Sequence, residues 1–262
     1  MTPKYFDIHS HISFSDFEKD RVAVIERMKD AGVFSITVGV DKKSSQEAVA
    51  CAKKYNNVYA TVGLHPADNT KEAFIEKDYE KLAQHPKVVA IGECGLDYLR
   101  IKGDKEEEKK RQKKEFEKQI VFAAKHNKPL MIHCRQAHGD MLDILTEKKQ
   151  TLGNTLRGNI HFFSESIETA KKYFALDFTI SFTGVITFTD DYNEAIKNAP
   201  LDMILSETDC PFVAPVPHRR SRNEPVYVRE VVKQIANIRG EEYIVVEKAL
   251  LDNAKRVFSI SL

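Results

Sequence analysis

The sequence predicts an α/β fold, a TIM (β/α)8 barrel, on three observations: length, an alternating pattern of elements, and the placement of polar residues. Its 262 residues and 29.9 kDa suit one barrel-sized hydrophobic core, so residues 1–262 are read as one domain. Short apolar, β-branched runs alternate with longer amphipathic stretches, the signature of repeated βα units around a parallel sheet. Strands are expected near 5–9, 33–40, 58–62, 88–93, 129–134, 157–162, 178–182 and 201–206. Several of these runs end in histidine or a carboxylate, and barrel enzymes assemble their active sites at that end of the strands.

Each part of that pattern has a local cause. The charged run over 103–126 carries Phe116, Ile120 and Ala123 at helical spacing, which predicts an amphipathic helix with one solvated face. Pro211, Pro215, Pro217 and Pro225 mark one long, stiff loop after the eighth strand. Cys51, Cys94, Cys134 and Cys210 form no CxxC pair, so they are read as buried reduced thiols. There is neither a secretory leader pattern nor an 18-residue apolar run, so the expectation is a cytoplasmic protein with no membrane contact and no obligate protein partner. The net charge of +1 excludes binding to a polyanion through an overall positive field.

The candidate chemistry lies at the strand ends. His9 and His11 close the first strand with i, i+2 spacing, so both imidazoles point to one side. Glu93 follows the buried run Val88–Ile91, His133 ends Pro129–Ile132, His161 ends Gly158–Ile160, and Glu207 and Asp209 follow Met203–Ser206. Four histidines with Glu93 and Asp209 exceed what one tetrahedral cation takes, but suit two cations with Glu93 as a bridging carboxylate. Two dications bring about four positive charges against two carboxylates, a pocket that attracts phosphate or a developing oxyanion. Arg135 and the loop His218–Arg222, Arg222 included, are candidate phosphate contacts, and His65 faces the same rim as a further substrate-binding group. Asp209 is the candidate proton acceptor for an attacking water, and Glu207 is expected to orient a metal ligand or Arg135 by a hydrogen bond.

The motifs Phe6-Asp-Ile-His-Ser-His11, Val62-Gly-Leu-His-Pro66, Ile91-Gly-Glu-Cys-Gly-Leu-Asp-Tyr98, Ile132-His-Cys-Arg135, His161-Phe-Phe-Ser164, Ser181-Phe-Thr-Gly-Val-Ile-Thr187 and Glu207-Thr-Asp-Cys-Pro211 resemble, in order, those of the TatD family of metal-dependent deoxyribonucleases within the amidohydrolase group of barrels. The resemblance implies a binuclear site on His9, His11, Glu93, His133, His161 and Asp209, with Asp97 beside it. It further implies hydrolysis of phosphodiester bonds in DNA, typically as a magnesium-dependent exonuclease preferring single-stranded ends; the imidazole and carboxylate ligands themselves admit Mn, Zn, Fe or Ni as well as Mg. Two positions depart from the family pattern. Glu165 stands where glycine usually follows His-x-Phe-Ser, and Leu99-Arg100 stands where an aromatic commonly follows Asp-Tyr. Glu165 is open to three placements: solvated in its loop, capping the helix that begins near Ser166, or facing the cleft. Two alternatives remain for function: an amidohydrolase or esterase acting on a small cyclic amide, lactone or phosphoester, and a non-catalytic nucleic-acid-binding protein.

Overall fold

Eight strands hydrogen-bond in the order in which they occur in the chain, every neighbouring pair parallel. The computed structural model describes residues 2–261. In sequence these carry β1 (Tyr5–Ser10), α1 (Arg21–Asp30), β2 (Val33–Val38), α2 (Lys42–Lys54), β3 (Val58–Val62), α3 (Glu76–Ala83), β4 (Val88–Asp97), α4 (Lys105–Lys125), β5 (Leu130–Arg135), α5 (His138–Leu152), β6 (Gly158–Ile160), α6 (Ile167–Phe174), β7 (Phe178–Phe182), α7 (Asn193–Asn198), β8 (Ile204–Ser206), α8 (Val228–Arg239) and α9 (Tyr243–Phe258). This is the (β/α)8 barrel that the alternating pattern predicts. No helix among the described residues is long and apolar enough to cross a membrane.

The helices start where side chains satisfy their first N–H groups. Asp41 accepts from Ser44 N at 2.7 Å to open α2, and Asp104 accepts from Glu106 N and Glu107 N to open α4, whose first turn is acidic. Apolar strand residues such as Val62, Ile91, Ile132 and Ile160 pack with Phe116 and Ile120 in one buried cluster between sheet and helices. A second cluster joins Phe6, Ile36, Val89, Met131 and Leu205 to Val257 and Phe258 of α9.

The expected eighth strand, 201–206, is half turn. Pro200 leads into a 3-10 turn over Leu201–Met203, and only Ile204–Ser206 pairs as strand. The seam of the barrel is therefore closed beyond β8. Asp209 N donates to His9 O at 2.9 Å and His11 N to Cys210 O at 2.7 Å, while Thr208 N and its hydroxyl reach the buried Asp7 carboxylate at 2.8 and 2.7 Å. The bonds that close the barrel thus run through three candidate ligands.

β4 is longer than its apolar run suggests, and its register shifts between Ile91 and Cys94 against β5. Irregularities of this kind re-aim side chains, here that of Glu93. Gly95 has φ +136°, and a Cβ on it would lie 2.0 Å from His133 O, so this turn of β4 admits no side chain. Gly95→Ala is expected to cost at least about 1–3 kcal/mol through backbone strain alone, plus the steric overlap. Urea unfolding checks this, and an unchanged midpoint would contradict it.

Candidate metal centre

At the carboxyl end of the barrel, Glu93 stands at the middle of a ring of imidazoles. Its Oε2 lies 3.4 Å from His9 Nε2 and 4.0 Å from His11 Nε2, while its Oε1 lies 3.1 Å from both His133 Nδ1 and His161 Nε2. Asp209 completes the first side, with Oδ1 at 3.4 Å from His11 Nε2 and 3.7 Å from His9 Nε2. The His9 and His161 rings stack at 3.8 Å between centroids. Among the described residues four groups offer ligand atoms within 4.8 Å of one another; three lie here, His9 with Glu93 and His161, His9 with His11 and Asp209, and His65 with Asp97 and His133, and the fourth, Glu76 with Glu80 and His126, lies between α3 and the end of α4.

The chemistry of this set fits a metal. Both ring nitrogens of His9 are buried without any hydrogen-bond partner, a cost that a protein core rarely leaves uncompensated. His11, His133 and His161 each turn one nitrogen inward and tie the other down: His11 Nδ1 to Val38 O at 3.3 Å, His133 Nε2 to Asp97 Oδ2 at 3.0 Å, and His161 Nδ1 to Glu207 Oε1 at 3.3 Å. Tethering the outer nitrogen in this way fixes the tautomer and orientation of a ligating histidine.

Glu207 is fixed in turn by Phe162 N at 2.7 Å and Ser181 Oγ at 2.8 Å, so it orients His161 and does not reach Arg135. Asp97 accepts from the backbone N–H of Leu99 and Arg100 and from Arg100 Nε, as well as facing His133.

The electrostatics follow from burial and crowding. Burial alone would raise the pKa of Glu93, but the imidazoles of His65, His161 and His9 hold it well below the usual carboxylate range. Burial lowers His9, aided by the neighbouring His161, whereas Glu207 and Glu93 overcome burial to raise His161. Burial also depresses His65 well below the usual histidine value.

His11, Glu93, His133, His161 and Asp209 line a cleft of about 530 Å³, with His9, Asp97 and Glu207 buried behind them. Arg135 and His65 also line it; Arg135 is exposed and makes no ion pair with the described residues. Arg222 is not brought to the cleft. Its guanidinium is held by Asp20 at 2.7 and 2.8 Å and by Glu224 at 3.2 Å, and it covers the Phe17 ring at 4.3 Å. Those carboxylates and that ring saturate the charge that the sequence offered to substrate.

Glu165 is exposed and outside the cleft lining, and Ser166, not Glu165, caps α6 by accepting from Thr169 N. His138 is a structural group: burial pushes it down to about 4, and its Nδ1 shares a hydrogen bond with Tyr173 Oη at 2.7 Å. His126 packs on Phe122 with ring centroids 4.4 Å apart, and His85 is half-buried. All four cysteines are free and buried.

Sequence reasoning missed the aromatic residues Phe14, Phe162, Tyr192 and Phe212 in the cleft wall, and it noted Arg100 only as a departure from a pattern. For Phe14, Phe162, Phe212 and Arg100 the single signal was position, no more than six residues past a strand end; Tyr192, ten residues beyond β7, gave none.

A parallel eight-stranded barrel with an internally tethered His/Glu/Asp cluster at its carboxyl-terminal mouth is the architecture of a metal-dependent hydrolase. The model of TatD related DNases matches residues 6–259, and the chain belongs to that family. An uncharacterized metal-dependent hydrolase, YabD, of Bacillus subtilis is 37% identical to it over 98% of this chain and 99% of its own length. The 3'-5' ssDNA/RNA exonuclease TatD of Pectobacterium parmentieri is 32% identical over 98% of this chain and its whole length. Among solved structures, the YjjV TatD homologue of Escherichia coli superimposes with a TM-score of 0.90 at 27% identity, covering all of both chains.

The tethers make a specific prediction. Asp97→Asn and Glu207→Gln leave the inward-facing nitrogens in place but weaken the groups that orient them, so each is expected to lower metal affinity by about 10–100-fold. Metal titration with circular dichroism as a folding control measures this. Wild-type affinity in both variants would show that the tethers do not act on the ligands.

Proposed function

We propose that the chain is a nuclease that hydrolyses phosphodiester bonds at single-stranded DNA ends, with two divalent cations on His9, His11, Glu93, His133, His161 and Asp209. The observation that carries this reading is the division of Glu93: Oε2 faces His9 and His11, and Oε1 faces His133 and His161. Such a carboxylate is placed to bridge two ions. Bound there, divalent cations supply Lewis acidity toward a phosphoryl oxygen and bring the pKa of water from ~15.7 toward roughly 7.

The chain's own groups supply the rest. Asp209, held by His11 and His9 on one oxygen, borders the open cleft and is the acceptor for the proton of the attacking water. Arg135 stands free at the rim to bind a phosphate by its guanidinium fork. Phe14, Phe162, Tyr192 and Phe212 present rings along the cleft, where unstacked bases of a single strand gain about 1–3 kcal/mol each by stacking, a surface that a duplex cannot use. The exonuclease named among the relatives supports the same substrate class.

The test is cleavage of end-labelled single-stranded DNA by chelated protein, then with Mg, Mn or Zn restored, beside duplex DNA, RNA and a panel of small esters and cyclic amides. Chelation is expected to abolish cleavage and one of these metals to restore it, with stepwise shortening of the single strand. Arg135→Ala is expected to lower kcat/KM on DNA by about tenfold, the loss of one charged hydrogen bond, with metal content unchanged. Turnover of a small ester or amide by metal-loaded protein that leaves DNA intact would overturn the nuclease reading, and metal loss in Arg135→Ala would recast that residue as structural.

A further inference from the structure

Just beyond β4 the chain turns so that the backbone N–H groups of Leu99 and Arg100 both donate to Asp97 Oδ1, at 3.1 and 3.0 Å. That turn swings the Arg100 side chain back over the cleft. Its Nε donates to Asp97 Oδ2 at 2.6 Å and its Nη1 to Asp68 Oδ1 at 2.7 Å, so two carboxylates fix the guanidinium plane. The remaining nitrogen, Nη2, ends 3.1 Å from His65 Nε2.

The His65 ring is 2% exposed, and its Nδ1 receives the backbone N–H groups of Ala67 and Asp68 at 3.1 and 3.2 Å. A ring nitrogen that accepts from two N–H donors carries no proton, so the neutral imidazole holds its proton on Nε2. The one competing contact at Nδ1, Asp68 Oδ1, is longer at 3.4 Å. Arg100 Nη2 and His65 Nε2 are then both donors, at a separation where one of them should accept. The acceptor in reach of His65 Nε2 is Glu93 Oε1 at 3.5 Å, and that oxygen is closer to His133 and His161, at 3.1 Å each. Two oriented donors therefore meet at the cleft wall, and among the described residues the nearest acceptor for His65 Nε2 is Glu93 Oε1 at 3.5 Å.

We propose that Arg100 Nη2 and His65 Nε2 form a preorganised seat for a non-bridging oxygen of the substrate's phosphoryl group, on the Asp97 side of the metal centre. The inference rests on the phosphodiester reading above and adds Arg100 to it as a substrate-binding residue. Asp68, Asp97 and Glu93 outnumber the guanidinium in charge, so the seat attracts an anion only when the cluster holds its cations. The preference is for a tetrahedral oxyanion, whose oxygens project away from one centre and can meet the guanidinium and the imidazole while another oxygen faces the cations.

The probe is inorganic phosphate with the metal-loaded protein, read by calorimetry and by nitrogen-15 spectra of the histidine rings. Wild type is expected to show His65 as the Nε2–H tautomer, with a phosphate-dependent shift at that nitrogen. Arg100→Met is expected to weaken phosphate binding by about tenfold and to abolish the shift, with metal content unchanged. Arg100→Lys, which keeps the charge but not the fork, is expected to fall between the two. A His65 proton on Nδ1, or equal phosphate affinity in Arg100→Met, overturns the seat. Metal loss in Arg100→Met together with weaker phosphate binding also overturns it, because Arg100 would then act by bracing Asp97 against His133. None of these readouts requires DNA cleavage: phosphate binding at the seat without nuclease activity defeats the nuclease reading alone, and nuclease activity with unchanged phosphate affinity in Arg100→Met defeats the seat alone.

Discussion

A carboxylate buried among imidazoles is the constraint on which this molecule is organised. Glu93 is 4% exposed and meets five histidine nitrogens between 3.1 and 4.0 Å. An ionised group so placed is costly unless positive charge is brought to it, and imidazoles crowded at 3.8 Å between ring centroids, as His9 and His161 are, resist being protonated together. Cations resolve both problems at once: they neutralise the carboxylate and take up the lone pairs of neutral rings. The orphaned nitrogens of His9 show the same need from the ligand's side.

Much of the surrounding fold holds that cluster still. The barrel seam between β1 and β8 is closed by backbone bonds at His9, His11, Asp209 and Cys210, so the first and last ligands are fixed by the same contacts that close the sheet. On the opposite wall, α4 sends two glutamines inward in place of peptide groups. Gln112 accepts from Asp97 N and donates to Asp97 O, at 2.8 and 3.0 Å, and Gln119 does the same at Leu64, at 2.8 and 2.9 Å. These pairs satisfy backbone groups of Asp97, the last residue of β4, and of Leu64, two residues beyond β3, and they set the positions of Asp97 and of His65, which follows Leu64.

How far the sequence revealed this depended on whether a residue's type and its neighbours pointed the same way. Histidine and carboxylate after an apolar run are chemically out of place, so His9, His11, Glu93, His133, His161 and Asp209 could be picked out together, and the structure gathers them at one end of the barrel. Gln112 and Gln119 were hidden because they sit in the highly charged stretch of α4, where a polar residue reads as solvated; the helix buries them beside Phe116 and Ile120. Arg222 read as a phosphate contact because its main partner, Asp20, meets it only in the folded chain. Arg100 went unassigned for the converse reason: its direction is set by a turn on Asp97 that spacing alone does not encode. The short β8 followed from Pro200, which leads into a turn where hydrophobicity alone suggested strand.

Two cations sharing the Glu93 carboxylate would interact magnetically. Electron paramagnetic resonance of the protein reconstituted with Mn(II) reads this, because ions at roughly 3.5–4 Å are magnetically coupled whereas isolated ions are not. Two Mn(II) per chain are expected, with a coupled spectrum that is lost in Glu93→Gln; a single equivalent of Mn(II), or two equivalents with uncoupled spectra in the wild type, would rule out a shared carboxylate.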